Sequence, residues 1–427
     1  TASGNYLEIT NFNWGSTVAP VLYDITNGKR YIANTGAPGL LRFALPPSST
    51  ERSMVLVSED ASGINNITAL TQRNFVDLAS SSSQGNYIII SNRILTGGRP
   101  ATGAVKAYAD YRSSAAGGGY NAKVYDIDEL SDQFAFGIKK HPLGIKNFLK
   151  YARNNFAVKP AFAFLIGKAV TYDEERLYES SPYADRLNLV PTFGWPASDN
   201  LLASDNLEPI AATPIGRLAA ISTDEVQTYL DKVKEYEQQQ ASTVETIENK
   251  AWMKTNVHVT GANDAGLDIA LTSHLNNYRD IIEDTLFGGN VYSFNKTTTG
   301  SATPITDALM ASLFEDGISL LNYFGHSSAT VLDYNLNSPY DYNNPGKYPV
   351  FIINGCDAGN IYSYDTSRFS VISSLSENFV LAKERGAIAF IASTHFGVEN
   401  YLDVYNRGFY NSLAGKGYNT PVSNNMI

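Results

Sequence analysis

Apolar and polar positions alternate along the N-terminal part of the chain. Between residues 6 and 60, short runs such as "YLEITNF" and "RSMVLVS" are separated by clusters of Gly, Pro and Asn. Successive side chains of a β-strand point to opposite faces, so this alternation predicts half-buried strands. Asn27-Gly28 lies between two runs and predicts a hairpin with a type I′ turn. We expect a small β domain over residues 1–82, ending in the linker-like stretch "SSSSQGN" at 80–86.

The pattern changes after this stretch to continuous apolar runs that alternate with helical segments. "NYIIIS" at 86–91 and "PAFAFLIG" at 160–167 are examples of such runs. Continuous apolar runs are typical of strands that are buried on both faces of a parallel sheet. The segment "STDEVQTYLDKVKEYEQQQ" opens with Ser222 and Glu225 in capping-box spacing and predicts a helix.

The same alternation restarts in the second half of the chain. Its apolar runs are "TNVHVTG" (255–261), "ISLLNYFG" (318–325), "YPVFIING" (348–355) and "AIAFIAST" (387–394). Strands that alternate with helices predict βαβ units and a mostly parallel sheet. We therefore expect an α/β protein with two successive α/β/α halves, at 83–245 and 246–427, after the small β domain.

Composition and charge narrow the function classes. The 427 residues are 43% hydrophobic and 17% charged, as in a folded globular protein. A formal net charge of -10, with Lys and Arg scattered singly, leaves no basic stripe for nucleic acid. The longest apolar stretches fall far short of the roughly 18 residues that predict a transmembrane helix.

Two further features concern localisation. Abundant Tyr, Asn, Ser, Thr and Gly with little Lys is typical of exported bacterial surface proteins, so we expect a cell-surface or extracellular location. The chain opens with "TASGNYLEIT", without an initiator Met or an apolar signal core, as expected of a mature or excised piece.

Candidate chemistry follows two consecutive apolar runs. His326 comes directly after Gly325, and Cys356 directly after Gly355. Reactive groups gather beyond the carboxyl ends of parallel strands, and neighbouring strands are about 5 Å apart. If these strands are neighbours, the imidazole can raise the thiolate fraction of the cysteine and create a nucleophile. The alternatives are a buried structural cysteine and a turn with a satisfied histidine.

Metal sites are not predicted. Cys356 is the only cysteine, which excludes an internal disulfide, and His141, His258 and His274 show no metal-ligand spacing with one another. Asp199 and Asp205 could offer oxygen ligands to a structural calcium, although turn and capping roles are commoner for such residues. We expect that no cofactor is required.

The ordered motifs "ISLLNYFGHSS", "FIINGCDAGN" and "RGAIAFIAST" resemble the catalytic half of the gingipain family of cysteine peptidases. The resemblance extends upstream through "VPTFGWPASDNLLASD" and "PIGRLAAISTDEVQTYLDKVKEYE", and covers most of residues 86–415. It implies a caspase-like fold, a protein or peptide substrate, Cys356 as the nucleophile and His326 as the general acid/base.

The resemblance also implies supporting groups. The oxyanion donors would be the backbone N–H groups of Cys356 and Ser327, where gingipains have Gly in place of Ser327. An acidic gingipain residue that orients the histidine aligns with "GANDAG", which makes Asn263 and Asp264 candidates for that role. A structural turn is the alternative for both residues.

Substrate selection is expected to differ from that of the gingipains. In gingipains an acidic residue binds the basic side chain of the substrate, and the corresponding position in this chain is near Ser273. A buried Arg or Lys side chain of a substrate needs such a carboxylate. Strict Arg or Lys specificity is therefore not expected. Phe324 and Asn354, each two residues before a catalytic candidate, and His395, just past the "AIAFIAST" run, are expected to line the substrate pocket.

The N-terminal segments "YLEITNF" and "LYDITN" resemble the PorU-type members of the family. Those proteins act at the bacterial outer surface with a type IX secretion system, where they remove C-terminal sorting domains and transfer the cargo to an anchor. This resemblance implies sortase-like transpeptidation and secretion-system partners. The rival hypothesis is a catalytically silent surface module that binds proteins or glycans, suggested by Ser327 and the missing acidic residue.

Overall fold

A computed structural model describes most of the chain and divides it into two compact units, Thr1–Asn74 and Phe75–Ile427. The described residues are 5–15, 17–64, 69, 72–73, 75–205, 210–242, 244–295, 304–334, 336 and 338–419, with the side chains of 242 and 304–307 excepted. No helix within these ranges is long and apolar enough to cross a membrane.

The first unit consists of short antiparallel strands. They are β1 (Asn5–Thr10), β2 (Val21–Asp24), β3 (Lys29–Ile32), β4 (Asn34–Ala37), β5 (Leu40–Leu45) and β6 (Met54–Val57). Their sheets have the orders β1-β5-β4 and β3-β2-β6. Alternate side chains of β5, such as Leu41 and Phe43, are buried in the core of this unit.

The predicted hairpin at Asn27-Gly28 joins β2 to β3, but its turn is not of type I′. Gly28 has a φ of +60°, whereas Asn27 does not have positive φ. The Asp24 carboxylate accepts hydrogen bonds from the Asn27 backbone N–H at 3.0 Å and from its Nδ2 at 2.9 Å. These hydrogen bonds favour a wider turn than type I′, because Asp and Asn side chains stabilise turns by bonding to backbone groups a few residues away.

The larger unit contains two parallel sheets, and the first spans residues 87–218. Its elements are β7 (Tyr87–Ser91), α1 (Arg93–Thr96), α2 (Gly103–Ser113), β8 (Ala122–Asp126), α3 (Ile127–Phe134), α4 (Leu143–Asn155), β9 (Phe162–Ile166), α5 (Tyr172–Leu177), α6 (Ala184–Leu187), α7 (Asn200–Ala203), β10 (Ile215–Leu218) and α8 (Thr223–Ser242). The order is β10-β9-β7-β8 and every pairing is parallel. Helix α8 begins at the predicted capping box, where the Ser222 hydroxyl accepts from the Glu225 N–H at 3.3 Å.

The second sheet spans residues 255–392. Its elements, with the short helix before it, are α9 (Ile247–Lys250), β11 (Thr255–Gly261), α10 (Ala265–Glu283), β12 (Asn290–Asn295), α11 (Pro304–Asp316), β13 (Leu320–Gly325), β14 (Val350–Asn354), α12 (Leu375–Leu381), β15 (Ala389–Ala392) and α13 (Glu399–Leu413). The order is β12-β11-β13-β14-β15, again with parallel pairings throughout. The expected tandem α/β architecture with mostly parallel sheets is confirmed.

Both faces of the second sheet are covered by helices, which explains its continuous apolar runs. Leu321 and Tyr323 of β13 pack on the side of α11 and α12, whereas Leu320 and Phe324 pack on the side of α10 and α13. A fully buried apolar side chain of this size stabilises the fold by about 1.5–3 kcal/mol. Strands covered on both faces therefore leave only their ends open to solvent.

Candidate active site

The strands that precede His326 and Cys356 are neighbours. β13 pairs with β14 in parallel, and Phe324 lies opposite Asn354. His326 and Cys356 each lie two residues beyond this pair, so the chain delivers them to the same edge of the sheet. The adjacency that the sequence analysis required is therefore present in the fold.

Gly325 and Gly355 are required by the close approach of the backbones at this edge. A Cβ atom on Gly325 would lie 2.2 Å from the carbonyl oxygen of Gly261 on β11. A Cβ atom on Gly355 would lie 2.1 Å from the Ser327 Oγ and 2.6 Å from the Gly325 carbonyl oxygen. Larger residues at either position would push the two candidate loops apart.

The backbone of His326 is fixed while its side chain is exposed. Its N–H donates to the Gly261 carbonyl at 2.9 Å. Its carbonyl accepts from the Tyr323 hydroxyl at 2.5 Å and from the Asp333 N–H at 3.0 Å. The imidazole is therefore held on a rigid backbone and remains accessible to a substrate.

Cys356 is a free, partly exposed thiol at the start of a sharp turn. Its carbonyl accepts a hydrogen bond from the Ser327 Oγ at 2.8 Å. The next residue, Asp357, has a φ of +57°, and its N–H donates to the His395 carbonyl at 2.8 Å. Cys356 is therefore not fully buried, whereas a purely structural cysteine usually is.

Two backbone N–H groups at this edge have no acceptor within the described part of the chain. They belong to Ser327 and Cys356, whereas the neighbouring N–H groups of Ser328 and Asp357 are hydrogen-bonded to backbone carbonyls. N–H groups that point at a developing negative charge stabilise it. The two free donors therefore coincide with the expected oxyanion donors.

The candidates for an orienting residue follow β11 directly. Both Asn263 and Asp264 are exposed. The Asp264 carboxylate caps α10 by accepting from the Leu267 N–H at 2.9 Å. A capping carboxylate stabilises the helix N-terminus, so the Asp264 side chain has a structural role here.

Two of the expected pocket residues lie in the interior instead. Phe324 is 2% exposed and packs in the core between the sheet and helices α10 and α13, and Asn354 is 3% exposed. Both side chains precede the open edge, where the helix layer still covers the sheet. The expectation that they line the pocket is therefore wrong. Ser273 is exposed on α10, and His395 is partly exposed after β15.

Asn354 belongs to a buried asparagine network beneath the candidate loops. Its Nδ2 donates to the Asn322 Oδ1 at 2.8 Å, and its Oδ1 accepts from the Asn406 Nδ2 at 2.7 Å. The Asn322 Nδ2 donates to the Tyr410 hydroxyl at 2.8 Å, which also contacts the His258 Nε2 at 2.9 Å. The sequence signal for this network is an Asn inside an apolar strand run, as in "LLNYFG" and "VFIIN".

An exposed aromatic patch, formed by Trp195, His395 and Phe396, lies beside the cysteine loop. The His395 ring centroid is 5.1 Å from Trp195 and 4.4 Å from Phe396, and these two side chains are 70% and 73% exposed. The Thr394 hydroxyl donates to the Ala197 carbonyl at 2.8 Å, which ties the two halves of the unit together here. Sequence reasoning found His395 but missed its two aromatic neighbours.

The aspartates considered for calcium are engaged by arginines. Asp199 forms a two-pronged ion pair with Arg217 at 2.7 and 2.8 Å, and Asp205 pairs with Arg153 at 2.7 Å. Among the residues that the structure describes, no group of three or more His, Cys, Asp or Glu side chains could hold a metal ion.

The tandem α/β fold is shared with solved structures of cysteine proteinases. The Arg specific cysteine proteinase gingipain R (RgpB) superposes with a TM-score of 0.57 and 17% identity, over 78% of this chain and 68% of that chain. The complex of Porphyromonas gingivalis RgpB pro- and mature domains gives 0.54 and 16%, over 80% of this chain and 73% of that chain. These likenesses show a gingipain-like fold.

The family assignment comes from the sequence. A profile of Peptidase family C25 matches residues 80–427, and the chain belongs to this family, the gingipain family of cysteine-type peptidases. No curated protein matches the sequence.

Proposed function

We propose that the protein is a cysteine endopeptidase that cleaves secreted or surface proteins, with Cys356 as the nucleophile and His326 as the general acid/base. The observation that carries the proposal is the parallel pairing of β13 with β14. It brings an exposed imidazole and a partly exposed thiol to one edge, beside two backbone N–H groups that have no described acceptor.

The reaction runs through a thioester. The Cys356 thiolate attacks the scissile carbonyl carbon, a C–S bond forms, and the electron pair moves to the oxygen. The N–H groups of Ser327 and Cys356 stabilise that oxyanion. The His326 imidazolium then gives its proton to the leaving amine as the C–N bond breaks. Water, deprotonated by His326, attacks the thioester carbonyl. The C–S bond then breaks, the acid product leaves, and the thiolate and imidazolium are restored.

The substrate side chain beside the scissile bond is proposed to be apolar or aromatic. The aromatic patch supplies an exposed aromatic wall next to the peptide that follows Cys356. Ser273, which stands where gingipains read a basic side chain, carries no charge. A peptide library cleaved by the protein and sequenced by mass spectrometry would test this preference, and cleavage confined to Arg or Lys would contradict it.

A more specific form of the proposal is sortase-like transfer of the cleaved protein to an amine. An amine of a surface anchor would then replace water in the attack on the thioester, on an exported protein that works with secretion-system components. The support is the PorU-like N-terminal sequence. Cleavage in the presence of an excess primary amine tests it, because transfer yields an amide product by mass spectrometry, whereas hydrolysis alone yields the acid.

The decisive experiment compares the parent protein with Cys356→Ala and His326→Ala on a denatured protein substrate. We expect both variants to lose cleavage while they unfold at the parent's temperature, because neither side chain is part of a buried core. Thr330→Ala, an exposed change in the same loop, serves as the control and should retain cleavage. Full cleavage by Cys356→Ala would refute the proposal.

A silent binding module is the second candidate, favoured by the Asp264 carboxylate that caps α10. Alkylation of Cys356 separates the two candidates, because this chain has a single cysteine. An activated thiolate reacts faster than a free cysteine at mildly acidic pH, whereas a silent module does not.

A further inference from the structure

The peptide bond that follows Cys356 is held at both ends by neighbouring loops. Its carbonyl oxygen accepts from the Ser327 Oγ at 2.8 Å, in the loop after β13. Its N–H, which belongs to Asp357, donates to the His395 carbonyl at 2.8 Å, in the loop after β15. One peptide plane is therefore fixed from both sides of β14.

This plane leads into an unfavourable backbone conformation. Asp357 has a φ of +57°, in the left-handed region that L side chains disfavour. Such conformations persist where the surroundings over-determine them, and they cluster at functional sites. The two hydrogen bonds to the preceding peptide supply that restraint directly after the nucleophile.

Ser327 can reach the Cys356 carbonyl only because position 355 has no side chain. A Cβ atom there would lie 2.1 Å from the Ser327 Oγ and 2.9 Å from the Ser327 Cβ. The Ser327 hydroxyl therefore occupies the space that a side chain at position 355 would fill. This need for glycine is separate from any need that arises from its backbone conformation.

The backbone of Ser327 is itself held by a small hairpin. Ser327 forms an antiparallel bridge with Leu332, flanked by the bond from the Ser328 N–H to the Val331 carbonyl at 2.9 Å and by that from the Asp333 N–H to the His326 carbonyl at 3.0 Å. The hydroxyl thus links a rigid histidine loop to the cysteine loop.

We propose that Ser327 is a positioning residue whose side-chain hydroxyl fixes the Cys356–Asp357 peptide and thereby the orientation of the nucleophile relative to His326. This role is separate from that of its backbone N–H, and it rests on the proposed peptidase function.

The test is the kinetics of Ser327→Ala, normalised to the fraction of active sites. Loss of one neutral hydrogen bond predicts a fall in kcat of about three- to tenfold with KM unchanged. Ser327→Thr retains the hydroxyl and should restore most of kcat. Thr330→Ala removes a hydroxyl from the same loop whose only hydrogen-bond contact among the described residues is the Ser328 Oγ, at 3.4 Å, and it should leave kcat within about twofold of the parent.

A second readout separates positioning from simple stabilisation. Alkylation of the sole cysteine reports on Cys356 alone, and we expect its rate at neutral pH to fall in Ser327→Ala by about the same factor as kcat, with an altered pH profile. A role limited to stability would lower the unfolding temperature and the active fraction, but would leave both normalised rates unchanged. If Ser327→Ala does not fold, Ser327→Gly removes the same hydroxyl and tests the same restraint.

The outcomes distinguish this inference from the proposed function. Normalised kcat and alkylation profiles equal to the parent's in Ser327→Ala, with Cys356→Ala inactive, would overturn the positioning role alone. Cleavage retained by Cys356→Ala would overturn the peptidase function and the positioning role together. A selective loss in Ser327→Ala, restored in Ser327→Thr, supports the inference.

Discussion

The two parallel sheets of the larger unit share one architecture but differ in their interiors. β7, one of the two inner strands of the first sheet, is largely apolar, and its Ile88, Ile89 and Ile90 are fully buried against helices on both faces. The second sheet buries His258, Asn322 and Asn354 in strands of the same kind. Buried polar groups are costly unless they are hydrogen-bonded, and the asparagine network supplies these bonds and fixes its side chains beneath the open edge.

The sheets also differ in how they use the ionisable groups at their carboxyl ends. In the first, the Arg217 side chain is 2% exposed and paired with Asp199, and Lys168 is buried against Glu377 at 3.4 Å. In the second, His326 is exposed and the Cys356 thiol is partly exposed. A reactive side chain at a strand end is thus a candidate for chemistry only where its partners leave it accessible.

The largest expected difference between substitutions in the two sheets is in the rate of catalysis. His326→Ala should lower kcat/KM by roughly 10²–10⁴-fold, the range for loss of a general acid/base, without a change in unfolding temperature. The matched control is His141→Ala in the first half, where the Nδ1 accepts from the Leu143 N–H at 3.1 Å. Comparable rates for the two variants would remove the functional distinction between the sheets.

A substitution in the first sheet should lower stability and leave activity per folded molecule unchanged. Arg217→Met leaves the Asp199 carboxylate without its cation, and breaking a buried pair costs about 3–5 kcal/mol of unfolding free energy. Urea unfolding measures this loss, and the activity per folded molecule should be retained. The double variant with Asp199→Asn should recover part of the stability, because no uncompensated charge remains. A stable but inactive Arg217→Met would show that the first sheet also takes part in catalysis.

The buried histidine of the second sheet predicts a pH dependence. Burial lowers the pKa of His258 to about 3, from an ordinary value of 6.5. Below pH 6.5 the His258 imidazole binds a proton in the unfolded chain, whereas in the folded chain it stays neutral down to about pH 3. His258 therefore lowers the free energy of unfolding as the pH falls. Between pH 7 and pH 5 the reduction is roughly 2 kcal/mol.

Urea unfolding of the parent and of His258→Gln at both pH values measures this contribution. The variant should lose less stability than the parent on acidification. Equal losses in the two proteins would mean that the network stabilises the charged imidazole after all.

The smallest expected effect concerns the contact between the halves. Tyr178 stacks on Tyr364 with ring centroids 4.1 Å apart, in the segment that follows the cysteine loop. Tyr178→Ala should destabilise the protein by about 1 kcal/mol, as expected for an aromatic pair. Tyr172→Ala, at a side chain that is 70% exposed, is the control for thermal unfolding. Equal shifts in unfolding temperature for Tyr178→Ala and Tyr172→Ala would argue against a stabilising contact between Tyr178 and Tyr364.

Much of the architecture was predictable because it depends on local patterns. Continuous apolar runs identified the buried strands that end at Gly325 and Asn354, since each strand must be covered on both faces. The order of these motifs also identified the family and the two candidate catalytic residues. These features are encoded by residues close together in sequence.

Tertiary structure alone decided the surroundings of the site. Phe324 and Asn354 turned inward because the helices above the sheet extend to its last paired residues, and no local pattern records where that cover ends. The Ser327 hydroxyl reaches the Cys356 carbonyl, and Trp195 reaches His395, across long separations in the chain. Such contacts depend on strand order and on the packing of the two halves, so the sequence determined which groups reach the edge, and the fold determined what each of them touches.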